Sequence, residues 1–323
     1  MAGCGKNGFR CYAWFQDSPE KHDQNLLIRT KTKRGRSILP SSESARPSNV
    51  SAFRLALALV TMGYWLATCL LHLEISNIIV SPMSTPLGTI TPSEYSSAVG
   101  WVVLLGAAVL IALQAKNGQS RGRTLLYWLL WLTAVYFANK TLVFSPNEYI
   151  HYPQYAILTI LMVLCLDPKR TLFPFGRILF WATLMGILDE MNQYFFLCPS
   201  YGEYLDFNDF FLNELGAVAG LLLAYGFRRP VTNARALVPV HKTMEFRLVT
   251  GCVAILLILH LGGRLNITPT NEIPPGGIAQ EGGKRVVYLE RKPGIMGTWQ
   301  NAGSGGAHYV LSPISGLILL LVT

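Results

Sequence analysis

The chain has 323 residues, 51% hydrophobic and only 14% charged, with 27 Lys and Arg against 18 Asp and Glu for a formal charge of +9. Soluble domains carry about 25% charged residues, which excludes a water-facing globule, and the hydrophobicity excludes a disordered basic protein. Six cysteines spread without paired spacing exclude a secreted disulfide scaffold, leaving an all-α, polytopic transmembrane helix bundle.

Residues 1–54 are polar, rich in Ser and Pro, and carry the basic run Lys31–Arg36; they read as a disordered cytoplasmic tail with no signal-peptide core. A helix that crosses hydrocarbon needs about 20 apolar residues. Seven continuous, Leu-rich stretches come near that, at 55–73, 99–115, 124–143, 151–166, 178–197, 210–227 and 248–263. They divide the chain into two N-terminal spans (55–120), a four-helix membrane core (121–230), a loop with the seventh span (231–263), and a tail (264–323). The tail is rich in Gly and Pro, with turns at Pro274–Gly277 and Gly282–Gly283. Short strands are expected at Val286–Leu289 and His308–Leu311. Ile314–Val322 is too short to span and is expected to pack as a strand or lie at the interface.

Orientation follows from the basic residues. Twenty-one of the 27 fall before span one, between spans two and three, after span four or after span six, and six fall on the other side. Positive residues stay in the cytoplasm, so the N-terminus is inside and the tail is extracytoplasmic. The surplus flanks membrane segments, where orientation and contact with anionic membrane lipids account for it; nucleic-acid binding is not expected. Cys198 is the one cysteine in an outer loop, and the layout permits a Cys69–Cys198 bond.

Ionisable groups inside spans are costly and by default functional or interhelical. Three groups stand out, all near the outer end. Glu148, His151 and Tyr155 share a helix face at i, i+3 and i+7, with Pro153 suited to the first turn. Asp189 and Gln193 share a face at i and i+4, while Glu190 is rotated by about 100°. Asp209, Asn213, Gly216 and Gly220 form one stripe, in which the glycines permit close helix packing. Asp206 and Asp209 suit a helix N-terminus, with Asp206 or Asn208 as the N-cap. Gathering so many carboxylates costs several kcal/mol unless protons, a cation or a basic partner relieves it. A divalent cation on Asp189, Glu190 and Asp209 is one solution; the cofactor is otherwise open.

The set Glu148-x-x-His151-x-x-x-Tyr155, Gly186-x-x-Asp189-Glu190-x-x-Gln193 and Asp209-x-x-x-Asn213-x-x-Gly216-x-x-x-Gly220 resembles the VanZ-like membrane family over roughly residues 120–230. Where that family usually has Pro-x-Arg between the acidic motifs, this chain has Pro199-Ser200-Tyr201. The resemblance implies an integral protein of the bacterial plasma membrane, with a founding member associated with low-level teicoplanin resistance.

The leading expectation is therefore a cell-envelope protein whose outer acidic cluster binds a cationic, metal-bridged or lipid-linked ligand, such as a lipid-linked glycan or glycopeptide. The alternatives are an enzyme acting on an envelope lipid, with Glu190 or His151 as general base, a transporter component, and a purely structural scaffold. The oligomeric state is left open.

Overall fold

The computed structural model describes residues 49–85, 88–91, 105–106, 108–114, 116, 121–170, 174–200, 202–226, 239–301 and 306–322. The basic tail before residue 49 and the start of the second expected span, 99–104, lie outside these residues, although the described positions within 105–116 are helical. Helix α1 (Asn49–Leu70) is followed across Leu71 by the short α2 (His72–Val80), then by a β1–β2 hairpin (Met83–Thr85, Gly88–Ile90). Helix α3 covers Arg121–Thr141. A 3-10 turn at Pro146–Ile150 leads directly into α4 (His151–Leu166). Helix α5 (Phe175–Asn192) runs on into a π-turn at Gln193–Leu197, and α6 and α7 cover Phe207–Tyr225 and Met244–Leu261.

Among the described residues, four helices are long and apolar enough to cross a membrane: Ala52–Leu70, Pro146–Leu166, Phe207–Tyr225 and Met244–Leu261. Helices α3 and α5 have the length, 21 and 18 residues, but carry Arg121, Arg123 and Lys140 in one and Arg177, Asp189 and Glu190 in the other.

Helix α6 is the centre of the bundle. It is buried along almost its whole length, the polar residues of its first half included, and α4 packs most closely on it. The sequence stripe explains that closeness. A Cβ on Gly216 would stand 2.8 Å from the carbonyls of His151 and Tyr152, and one on Gly220 only 2.4 Å from the carbonyl of Ala156. Gly186 on α5 faces Asn213 in the same way, with its Cβ position 3.2 Å from the Asn213 side chain. One apolar cluster, including Phe210, Leu212 and Leu215, surrounds the first half of α6, and another, including Leu158, Ile178 and Leu221, surrounds the second half. Helix α7 buries none of its residues. Its start is tied to the start of α5 by Arg177 Nε, which donates to Glu245 Oε1 at 2.6 Å.

The tail folds on the end of the bundle where α6 begins. Its three-stranded sheet has the order β3 (Leu265–Asn266), β5 (Lys284–Tyr288), β4 (Ile278–Glu281), with β3 parallel and β4 antiparallel to β5. The two-residue β4–β5 turn needs positive φ at both positions, which Gly282 and Gly283 supply at 54° and 77°. A second hairpin pairs β6 (Trp299–Asn301) with β7 (Ala307–Tyr309). Both expected strands are present within a few residues of their predicted bounds, while the last apolar run forms a helix, α8 (Pro313–Val322), rather than a strand. Docking is by specific bonds: Leu205 N–H donates to Leu289 O at 2.7 Å, Tyr194 OH to Tyr288 O at 3.0 Å, and Asn208 Nδ2 to Tyr309 O at 2.8 Å. Gly316 of α8 sits against Phe207, where a Cβ would come within 2.7 Å of the ring.

The glycine seam gives a direct test. Gly220→Ala should destabilise the protein by about 1–3 kcal/mol, because the obstructing atom is backbone and α4 must move. Gly251→Ala on α7 meets nothing within 4 Å and should leave melting unchanged or raise it, since Ala is the better helix former. Thermal unfolding of both variants in the same detergent reads the difference.

Candidate functional site

Three helix ends meet at the tail-bearing end of the bundle. The 3-10 turn at Pro146–Ile150 and the first turns of α4 place Glu148, His151 and Tyr155 inward, 4%, 1% and 0% exposed. The end of α5 places Asp189 and Glu190 there, and the start of α6 places Asp209 and Asn213. Asp206 is the N-cap, its carboxylate accepting from Asn208 N–H at 2.8 Å and Asp209 N–H at 3.3 Å.

Asn213 ties the three helices together. Its Nδ2 donates to Glu190 Oε1 at 3.2 Å, and its Oδ1 lies 2.7 Å from His151 Nδ1. An amide that donates to a carboxylate must accept on its other side, so His151 carries its proton on Nδ1 and donates it to Asn213. That aims His151 Nε2 at Asp209, whose Oδ2 is 3.5 Å away. One ligand atom each from His151, Glu190 and Asp209 lies within 4.8 Å of the others.

Asp189 does not join this group. The 100° rotation between adjacent residues turns it toward α4, where Tyr155 OH and Gln154 Nε2 donate to its Oδ2 at 3.1 and 3.4 Å. The expected metal set of Asp189, Glu190 and Asp209 is therefore replaced by His151, Glu190 and Asp209. Gln193, expected to share a face with Asp189, stands where the helix passes into the π-turn, its N–H still bonded to Asp189 O, and lines a cavity whose walls do not include Asp189. Glu148 is buried beside the group, and its Oε2 accepts from Phe144 N–H at 3.1 Å. Gly216 and Gly220 serve packing, as their spacing predicts. Cys69 and Cys198 are free thiols, so the permitted disulfide is not formed.

The cavity measures about 430 Å³. Glu190, Gln193, Asp206 and Asp209 form its bundle wall, Glu203 and Tyr204 its loop wall, and Ile295 and His308 its tail wall. Several buried atoms around the site have no protein hydrogen-bond partner: Glu148 Oε1, Asp189 Oδ1, Gln193 Nε2, Asp209 Oδ1 and His308 Nδ1. Burial holds His308 below the usual histidine range, so at neutral pH it is an uncharged polar wall.

Sequence reasoning missed two histidines. His72, on α2, stacks obliquely on His151 with ring centroids 6.1 Å apart, and His308 arrives from the tail. The acid-bearing loop at 198–209 has no basic residue of its own, but the tail brings Arg291 to it. Arg291 Nη1 donates to the carbonyls of Pro199, Ser200 and Gly202 at 3.2 to 3.4 Å. Among the described residues, His151 is the basic side chain beside both acids, its Nδ1 4.0 Å from Glu190 Oε1 and its Nε2 3.5 Å from Asp209 Oδ2.

The chain matches no protein-family model, and no curated protein or solved structure matches it.

Burial and the neighbouring Asp209 carboxylate push Asp206 up to about 8, against the lowering effect of the two backbone N–H donors. A folded-state value above the unfolded one means that Asp206 contributes stability fully below its unfolded value and loses it as pH rises through about 8. Asp206→Asn keeps the cap, since Asn caps as well as Asp, and removes the titration. Between pH 6 and 9, melting of the wild type should fall more steeply than melting of the variant; parallel curves would show that Asp206 is ionised throughout.

Proposed function

We propose that this is a VanZ-like multi-pass protein of the bacterial cell envelope, whose tail-covered acidic cavity binds the cationic or metal-bridged head of a lipid-linked ligand. The observation that carries this reading is the convergence of His151, Glu190 and Asp209 from three helices, with ligand atoms within 4.8 Å of one another, on a cavity of about 430 Å³. That volume is typical of small-ligand pockets. It suits a headgroup, a sugar or one charged arm of a glycopeptide rather than a whole glycopeptide.

Seven spans, with the N-terminus cytoplasmic and the tail extracytoplasmic, complete the proposal. The antiparallel run of α4 to α7 supports it. Lys169, Arg170 and Arg177 follow or begin helices at the end opposite the acids, and Glu245 at the start of α7 pairs with Arg177 there. The positive-inside rule then puts the acidic end outside. A lipid-linked ligand is supported by a second, apolar crevice of about 490 Å³ that includes Phe137, Phe211 and Leu319. On β7, His308 lines the polar cavity and its neighbour Tyr309 lines the apolar crevice, so a strand's alternation separates headgroup space from chain space.

Expressed in a teicoplanin-sensitive bacterium, the wild-type chain should raise the concentration needed to stop growth. Glu190→Gln and Asp209→Asn, matched for membrane level, should lose that protection. Equal protection by the wild type and both variants, or none by the wild type, would remove the reading.

A further inference from the structure

We infer that His151, Glu190 and Asp209 form the centre for one divalent first-row transition ion, of the Zn²⁺ or Mn²⁺ type, with Asn213 as its positioning residue. This rests on reading the cavity as a site for a cationic or metal-bridged group, and it names the metal.

The argument starts from the proton on His151. Asn213 engages Nδ1, which leaves Nε2, turned to the Asp209 carboxylate, as the ring nitrogen able to bind an ion. A proton or a metal ion between Nε2 and the carboxylate satisfies both, and the two favour different separations. A direct N–H···O bond would bring them to about 2.7–3.2 Å, and the separation is 3.5 Å. Two ligands of one tetrahedral ion, with bonds of about 2.0–2.2 Å, stand about 3.4 Å apart. The 3.5 Å separation suits two ligands sharing an ion, and the third ligand atom, within 4.8 Å of both, closes in as the ion binds.

The surrounding shell agrees. A metal-bound histidine characteristically donates its other ring N–H to an oxygen that sets its tautomer, and Asn213 Oδ1 does this at 2.7 Å. The same amide holds Glu190 through Nδ2, so one side chain orients two of the three ligands. Beyond the carboxylates, Gln193 and, from the tail, His308 line the same cavity; both are buried, His308 being 7% exposed, and each holds a buried polar atom, Gln193 Nε2 and His308 Nδ1, without a protein partner among the described residues. Three protein ligands leave a coordination position open, and Glu190 and Asp209 both line the cavity, so an oxygen of the bound ligand can take it.

The donor set selects the metal class. An imidazole nitrogen with two carboxylates suits zinc, manganese or iron, whereas Ca²⁺ and Mg²⁺ prefer oxygen alone. His72 stacks obliquely on His151 and is not among the three ligands.

The test is direct. Full-length protein, purified in detergent and stripped with EDTA, is titrated with ZnCl₂ and with MnCl₂ by calorimetry, and its melting is followed with and without each ion. One equivalent should bind and raise the melting temperature, and excess Mg²⁺ should not displace it. Co²⁺ substitution should give visible absorption that Asp209→Asn abolishes. Asn213→Ala should weaken binding about 10–100-fold, the range for loss of an outer partner, and Glu245→Gln at the opposite end should bind as the wild type does. The wild type alone keeps the inference falsifiable if a variant fails to fold: no ion bound at one equivalent overturns it, as does undiminished binding by a folded Asp209→Asn. If teicoplanin protection depends on Glu190 and Asp209 yet the wild type binds no ion, the metal centre falls and the cavity reading stands. If the ion binds through Asp209 without any protection, the metal centre stands and the envelope-ligand reading falls.

Discussion

The tightest constraint in the bundle is the backbone contact between α4 and α6, where Gly220 leaves no room for a side chain against Ala156. Two glycines one turn apart draw the helices together, and in lipid such packing, rather than hydrophobic burial, drives helix association. The consequence appears one turn further toward the start of α6. Asn213, three residues before Gly216, is carried close enough to His151 for a 2.7 Å contact, while Gly186 opens the matching space on α5. With bulkier residues along that seam, the amide could not reach both His151 and Glu190. The polar site is thus a product of the apolar packing below it.

The tail matters for a different reason. A cluster of carboxylates at the end of a membrane bundle would ordinarily be fully hydrated. Here the tail is fastened around the start of α6 through Asn208, whose side chain donates to Leu142 O and Tyr309 O and accepts from Leu311 N–H. Arg291 is buried among the carbonyls of the acid-bearing loop instead of pairing with its acids. Arg291 thus holds the loop's shape, while the neighbouring Lys292 pairs with Glu203 of the same loop, so the tail supplies a cation to the loop wall of the cavity rather than to the acids of its bundle wall, Glu190, Asp206 and Asp209.

Much of this was legible in the residues, for identifiable reasons. The 3.6-residue period alone puts Asp209, Asn213, Gly216 and Gly220 on one stripe and separates Asp189 from Glu190, and both deductions match the contacts. The partners of those residues were not legible. His308 and His72 reach the site from elements far away in sequence, and no period links a tail strand or a short helix to a transmembrane face. Gln193 lines the cavity and Asp189 does not, a division along one helix face that spacing at i and i+4 cannot reveal. Ile314–Val322 is apolar at nearly every position, so it carries no period to distinguish helix from strand. Helices α3 and α5 have the length of spans, but they hold charged residues that take them out of the clearly apolar class.

The remaining question is why a membrane protein keeps such a cluster. Two carboxylates whose ligand oxygens lie within 4.8 Å of each other repel, when both are ionised, by roughly 3–4 kcal/mol or more at an effective dielectric of about 20, and each also bears a desolvation penalty. Apolar residues of similar size would usually be as stable or more so, and the two apolar clusters and the glycine seam already hold α6 in place. A structural role therefore explains Asp189, which is bonded to Tyr155, better than it explains Glu190 and Asp209. A proton on His151 Nε2 or on a carboxylate is one remedy for the latter pair. Sharing it between Asp209 Oδ2 and His151 Nε2, 3.5 Å apart, leaves Asp209 Oδ1 without a protein partner among the described residues. A positive group entering from the cavity would offset the same repulsion, bind His151 Nε2 and use the acceptors left over. On the proposed reading, that offset is what favours a cationic ligand over a neutral one.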